Sequence, residues 1–389
     1  MPTALDTALL CKPLGRLTIA LMLVAELLLA FLLGLGLMTI GLGGAAWMIA
    51  GIAAGAIVFS VYRSWVDYPL QPNRSARKLG QSIIGLSIGL SLQQSNLEVV
   101  AAQLPIFLGL PFFLMLSGGA IGFIYARLES TDLLTALLAT TPGNISVMAT
   151  IAADYSKNTA LVSLVQLLRF TTVIFLLPLL VHGTMPPIAQ AGLAAFLQQL
   201  WVIPVHTLGW SVLLLTIAIL AGYVGNRFRM PMAAFFGALI VGLAVGSLPL
   251  LLPDATQLEL RLPLAFTLTG QALLGITIGE YWGLNPHMAP LTIARAVLPV
   301  GLMLLAGFAA AGLIKLLTAW SWLTCLLVTA PGGSPEMIWL ALTLHQETEI
   351  VTAGHLVRLL AINASLPLLV SVANSLQQRW TYTPSELSD

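Results

Sequence analysis

The chain alternates long apolar runs with short polar breaks, and the runs share a length. They fall at 17–40, 44–62, 79–96, 99–125 and 159–181, then at 207–225, 231–252, 262–282, 290–317 and 350–370. A helix rising about 1.5 Å per residue needs about 20 residues to cross the hydrocarbon of a bilayer. Each run therefore predicts a transmembrane helix, giving five in each half of the chain. One apolar element per half is left over. The stretch 131–153 is interrupted by Thr140-Thr141-Pro142-Gly143-Asn144, and 317–344 by Thr329-Ala330-Pro331-Gly332-Gly333. Each arm is about ten residues, roughly 15 Å of helix, or half a bilayer. Pro and Gly break helices. Each leftover element is thus a broken span or a re-entrant hairpin with its tip near the midplane.

The pattern repeats because the sequence repeats. Residues 140–181 align without a gap on 329–370 at an offset of 189, and 14 of the 42 positions are identical. The identities include Thr140/Thr329, Pro142/Pro331, Gly143/Gly332, Met148/Met337, Arg169/Arg358 and Pro178/Pro367. Further upstream, the ten residues from Gly80 to Gly89 match those from Gly270 to Gly279 at an offset of 190, with five identities. A period of roughly 190 residues is too long for a solenoid and marks a duplication of halves. The expected organisation is a first membrane repeat at 1–182, an outer-face linker at 183–206, a second repeat at 207–376 and a cytoplasmic tail at 377–389.

These two blocks resemble the duplicated AbrB family of bacterial multi-pass inner-membrane proteins. The resemblance rests on PGxxxxM followed by an Arg-bearing apolar helix and preceded by GQxxxGxxIG, in both halves. It implies an all-α membrane protein. The family carries labels of regulator of gene expression or, loosely, ammonia monooxygenase. Its name is shared with a soluble DNA-binding regulator, which this chain does not resemble.

Composition agrees with a polytopic membrane protein. Of 389 residues, 58% are hydrophobic and 8% charged, against about 25% charged in a soluble domain. A net charge of +1 implies no nucleic-acid partner. Cys11 and Cys325 have no CxxC partner, which excludes a disulfide scaffold and argues against redox chemistry. The run at 17–40 exceeds a signal peptide's apolar core and is read as an uncleaved first span.

Charge chooses between broken spans and hairpins. With hairpins, five spans per half invert the second half relative to the first. The inner side then collects Lys12, Arg16, Arg63, Arg74, Arg77, Lys78, Arg127, Lys157, Arg227, Arg229 and Arg379, and the outer side only Arg261 and Lys315. That asymmetry fits the positive-inside rule. Full crossings would move Lys157, Arg227 and Arg229 outside. The expectation is an inverted-topology repeat with both termini cytoplasmic, a plan shared by many secondary transporters.

The candidate site starts from Arg169 and Arg358. Arg169 is the eleventh residue of its span, some 15 Å from either end and too deep to snorkel comfortably. An arginine there clamps hairpin carbonyls, binds a ligand, or does both. Beside it stand the breaks. After Pro142-Gly143 a helix restarts at Asn144 and Ser146, and after Gly332-Gly333 at Ser334 and Pro335. Asn and Ser cap helices well, and the free N–H groups at a helix start bind anions. Gln81 and Gln271 need partners for their amides, from a neighbouring backbone or from a substrate. Gly85-xxx-Gly89 and Gly275-xxx-Gly279 are read as packing faces. Glu336, whose counterpart is Val147, is either a coupling H+ or Na+ site or an ion-pair partner of an arginine. Glu26 and Glu280 are weaker candidates for the same role. No HxxxH, ExxH, GxSxG or P-loop pattern points to a metal, a cofactor or catalysis.

The reading is a secondary transporter of a small anion, a carboxylate being one class, driven by H+ or Na+, with the halves moving around two hairpin tips. Its rival is a membrane sensor with the same pocket and no flux. A monooxygenase lacks its ligands. The expected partners are a small anionic solute and the lipid bilayer, with self-association left open.

Overall fold

A computed structural model describes residues 4–39, 43–65, 71–92, 97–129, 131–143, 145–155, 157–181, 192–201, 204–246, 261–284 and 290–381. These residues are helical, with no strand among them. In order, the helices are α1 (Ala4–Thr39), α2 (Ala46–Trp65), α3 (Arg74–Ser91), α4 (Leu97–Ala102), α5 (Leu104–Leu128), α6 (Leu133–Thr140), α7 (Ile145–Asp154) and α8 (Thr159–Val181). There follow α9 (Gly192–Trp201), α10 (Val205–Arg227), α11 (Ala233–Gly246), α12 (Leu264–Leu284), α13 (Pro290–Leu317), α14 (Trp322–Thr329), α15 (Ser334–Thr343) and α16 (Thr348–Thr381). The protein is an all-α, multi-pass membrane protein.

Seven helices among the described residues are long and apolar enough to cross a bilayer: α1, α2, α5, α8, α10, α13 and α16. The other three expected spans are different. Helix α11 has 14 residues. Helix α3 opens with Arg74, Arg77 and Lys78, and α12 carries Thr267, Gln271, Thr277 and Glu280. All four of those α12 residues are buried. A helix that faces protein rather than lipid needs no all-round apolar surface, so hydropathy alone separates these helices poorly from soluble ones.

The helices gather into two compact units. Unit 1 is Met1–Gln93 with Pro178–His287, and unit 2 is Gln94–Leu177 with Met288–Asp389. Both units draw on both sequence repeats, so the compact bodies cut across the duplication. Of the linker and tail expected from the sequence, residues 182–191, 202–203 and 382–389 lie outside the described residues. Helix α9, inside the linker, stacks its Phe196 on Trp47 at 6.1 Å within unit 1.

The small-residue faces hold unit 1 together, as their spacing predicts. A Cβ at Gly85 of α3 would lie 2.3 Å from the Phe235 carbonyl oxygen of α11. Its repeat counterpart, Gly275 of α12, would meet the Met48 carbonyl of α2 at 2.2 Å. Backbone thus packs on backbone, at a distance only glycine permits. Each of the two repeated helices packs against a helix from the other half of the chain.

Unit 2 contains both broken elements. Asp132 caps α6 by accepting from the Thr135 N–H at 3.0 Å. At the equivalent place Ser321 caps α14, accepting from the Thr324 N–H at 3.0 Å. Each first arm is eight residues long and each second arm ten. Close approach by a preceding helix seats each break. A Cβ at Gly118 of α5 would lie 3.1 Å from the Thr140 oxygen, and one at Gly307 of α13 would lie 3.4 Å from Pro331 Cδ. Gly118 and Gly307 are again 189 residues apart.

Candidate functional site

An eight-residue helix that stops inside the protein leaves carbonyls without intrahelical partners, and inside a membrane no water can supply them. The next long helix supplies them in both repeats. Arg169 of α8 donates from Nη1 to the Thr141 oxygen at 3.3 Å and from Nη2 to the Gly143 oxygen at 3.3 Å. Arg358 of α16 donates from Nη1 to the Ala330 oxygen at 2.7 Å and from Nη2 to the Gly332 oxygen at 3.3 Å. The acceptors are equivalent residue for residue. The planar guanidinium offers one nitrogen to each of two carbonyls, in a fixed fork that an ammonium lacks.

One turn earlier on each helix, a polar side chain completes the clamp. The Gln166 amide donates to the Leu138 oxygen at 2.7 Å and the Thr141 oxygen at 3.0 Å, while its own oxygen accepts from Arg169 at 2.7 Å. In the second repeat the residue is His355. Its Nε2 lies 2.9 Å from the Leu327 oxygen, and its Nδ1 lies 2.8 Å from Arg358 Nη2. A guanidinium can only donate and a carbonyl can only accept, so His355 is neutral with its proton on Nε2. Ser334 Oγ, at 3.3 Å, also faces Nδ1. The sequence pattern pointed to both arginines but not to Gln166 or His355 as their partners. The missed signal was the offset itself, since 166 and 355 are 189 apart.

The Pro-Gly-x-x-x-x-Met spacing has a packing cause. A Cβ at Gly143 would strike the Met148 side chain at 2.1 Å, and one at Gly332 would meet Met337 Sδ at 3.1 Å. Each methionine folds back over the glycine of its own break. The two repeats also meet here within unit 2. Gly332 faces Val173 of α8 at 3.0 Å, and Gly333 faces the Phe170 ring at 2.2 Å, both measured to the Cβ each glycine lacks. The second break therefore rests on the helix that carries Arg169.

Arg169 and Arg358 are 1% and 4% exposed. The hydrogen bonds described for them go to carbonyls, to Gln166 or His355, and from Arg169 Nη1 to Met303 Sδ at 4.0 Å. Arg169 Nε has no hydrogen-bond partner among the described residues. Glu336 is buried in the first turn of α15, with its Oε2 against Gly333. That is where a glutamate reaches back toward an N-cap, and Gly333 provides no side-chain cap of its own.

The other sequence candidates are distributed as follows. Pro142 is buried and Gly143 partly so, while Asn144 and the Ser146 side chain lie outside what is described. Gly332, Gly333 and Ser334 sit at the second break. Gln81 and Gln271 belong to unit 1. Gln81 lines a cavity of about 470 Å³ with Lys78, Ser82, Tyr223 and Asn226. Among the described residues, no three His, Cys, Asp or Glu side chains cluster to hold a metal.

Comparison with known proteins places this arrangement. The sequence model of the family described as "Transition state regulatory protein AbrB" matches residues 47–374, a range that takes in both breaks and both arginines. The chain is similar to "Uncharacterized protein YhjN" of Bacillus subtilis (strain 168), 29% identical over 335 residues, 82% of this chain and 85% of that protein. It is also similar to "Putative regulator AbrB" of Escherichia coli (strain K12), 27% identical over 343 residues, 86% of this chain and 91% of that one.

Proposed function

The chain belongs to the AbrB family, and from that premise we propose that it is a secondary transporter of a small anion, with carboxylates the first class to test. The observation that carries this reading is the arginine pair. Two guanidinium groups lie buried in one unit, and the hydrogen bonds described for them go to neutral groups. Carbonyl dipoles orient the cations without cancelling their charge, so an anion at the two breaks would offset the cost of burying them. Helices restart at both breaks, and such starts favour anions. Glu336, in the first turn of α15, is the proposed site of a coupling H+ or Na+. The solute would cross unchanged, without catalysis, cofactor or nucleic acid.

The reading includes an inverted topology in the bacterial inner membrane, with both termini cytoplasmic. Asn158 and Glu347 occupy equivalent positions in the two repeats. In this topology a cysteine at position 158 labels from the cytoplasm and one at position 347 from outside. Labelling of both from one side would refute it.

A relative named as a regulator favours a second reading, in which the same pocket senses an anion and passes no flux. Uptake into proteoliposomes, screened with carboxylates under a pH or Na+ gradient, separates the two. Gradient-driven flux supports transport, and saturable binding without flux supports sensing.

A further inference from the structure

Helix α1 buries Met22, Glu26 and Ala30, four residues apart along one stripe. Helix α12 presents Ile276, Glu280 and Leu284 at the same spacing. Met22 packs with Phe59 in a cluster that Leu284 joins, and Ala30 packs with Ala54 and Ile276. Going up α1 from 22 to 30 therefore means going down α12 from 284 to 276. The midpoints of the two stripes, Glu26 and Glu280, fall in one layer between the two apolar clusters. Both are fully buried.

The layer holds too few donors for two carboxylates. Glu280 Oε2 accepts from the Asn73 N–H at 2.7 Å. Glu280 Oε1 and both oxygens of Glu26 have no hydrogen-bond partner among the described residues. The elements packed on this layer bring Tyr62 and Arg63 from α2, and Arg74, Arg77 and Lys78 from α3. Arg63 Nη1 is directed to the Gly283 oxygen at 3.4 Å, and Arg77 Nη1 has no hydrogen-bond partner among the described residues. None of these groups donates to either carboxylate. Where α2 meets Gly279 it presents backbone, because a Cβ there would lie 2.1 Å from the Ile52 oxygen.

Two like charges buried side by side without donors cannot both persist. One proton removes the conflict by turning one acid into the donor that the other lacks. We propose that Glu26 and Glu280 form a proton-binding site that holds a single proton between them. Glu26 carries the proton, since no donor serves it. Glu280 keeps the negative charge, since the Asn73 N–H stabilises it. The site lies in unit 1, rests on the packing of α1, α2 and α12, and does not depend on the anion reading.

The test uses the purified full chain in detergent as wild type, Glu26→Gln and Glu280→Gln. Infrared difference spectra on exchange from H2O to D2O report the carbonyl stretch of a protonated carboxyl. The wild type should show this band at neutral pH, and Glu26→Gln should lose the intensity of one carboxyl. Wild-type thermal stability should also fall as pH rises above neutral, because the folded state gives up a proton that the unfolded chain does not hold there. The Glu26→Gln variant should be flat across that range. Absence of the band from wild type overturns the proposal, as does full intensity in Glu26→Gln. So does a wild-type melting temperature raised by Na+ at constant ionic strength with no protonated band, which would mark a cation site. If a variant fails to fold, the wild-type spectrum and pH profile alone decide. Any of these failures leaves the arginine pair and its transport assay untouched.

Discussion

The two breaks in unit 2 solve one problem with different side chains. In the first, Gln166 bridges Arg169 to the end of α6, and in the second His355 bridges Arg358 to the end of α14. An amide and a neutral imidazole share little but the ability to donate on one side and accept on the other. That shared ability is what the site demands, because each break must satisfy the same carbonyls away from water. The differences then mark where the repeats have parted. Asp132 caps one hairpin and Ser321 the other. Val147 in one stands where Glu336 stands in the other. A symmetric clamp is thus kept while the polar groups around it differ between the repeats.

Removing a guanidinium should break the comparison most severely. Arg169→Met or Arg358→Met strands two carbonyls and the partner side chain, and each should cost about 2–4 kcal/mol of stability in detergent. The lysine variants keep the charge without the fork. They should fold, lose less than the methionine variants, and bind the anion more weakly. Lysine variants that lose thermal stability yet keep wild-type affinity would leave the arginines as clamps alone.

The bridging pair gives a finer test. Gln166→His and His355→Gln exchange the two solutions and should each shift stability by less than about 1 kcal/mol. Gln166→Leu and His355→Leu remove donor and acceptor together and should cost about 1–3 kcal/mol. Equal costs for exchange and removal, read from melting curves, would mean that shape rather than hydrogen bonding is held in common.

Glu336 tests the asymmetry. Glu336→Gln preserves shape and should change stability by about 1 kcal/mol or less, the scale of a cap. As a coupling site its neutralisation should abolish gradient-driven uptake while anion binding survives. Uptake at the wild-type rate in a folded Glu336→Gln variant would remove it from that role.

The smallest expected effect lies at the outer caps. Burial raises the Asp132 carboxyl, but the hydroxyl and N–H of Thr135 and the Lys157 ammonium at 3.2 Å outweigh it and hold the carboxyl below its ordinary range. A lowered carboxyl contributes stability that is present above its unfolded value near 3.8 and lost as pH falls through the folded value. Ser321 has no such titration. Acid should therefore loosen the first hairpin before the second, read as faster amide exchange in α6 than in α14. Equal loosening would sink that contrast.

Much of this was legible in the chain alone. The duplication, the broken elements, the buried arginines and the small-residue faces follow from local rules: helix length against bilayer thickness, Pro-Gly as a breaker, and the cost of charge in hydrocarbon. Residues four or 189 apart are visible in one dimension. Tertiary structure alone decided which groups those arginines touch, because hydrogen bonding depends on angles and distances across helices that share no local sequence. It decided that Gln166 and His355 make the same bridge, that Gln81 and Gln271 stand in a different unit from the arginines, and that the units cut across the repeats. It also set Glu26 beside Glu280. Nothing in either segment signals the other, since the register of α1 on α12 is fixed by apolar contacts one turn above and below.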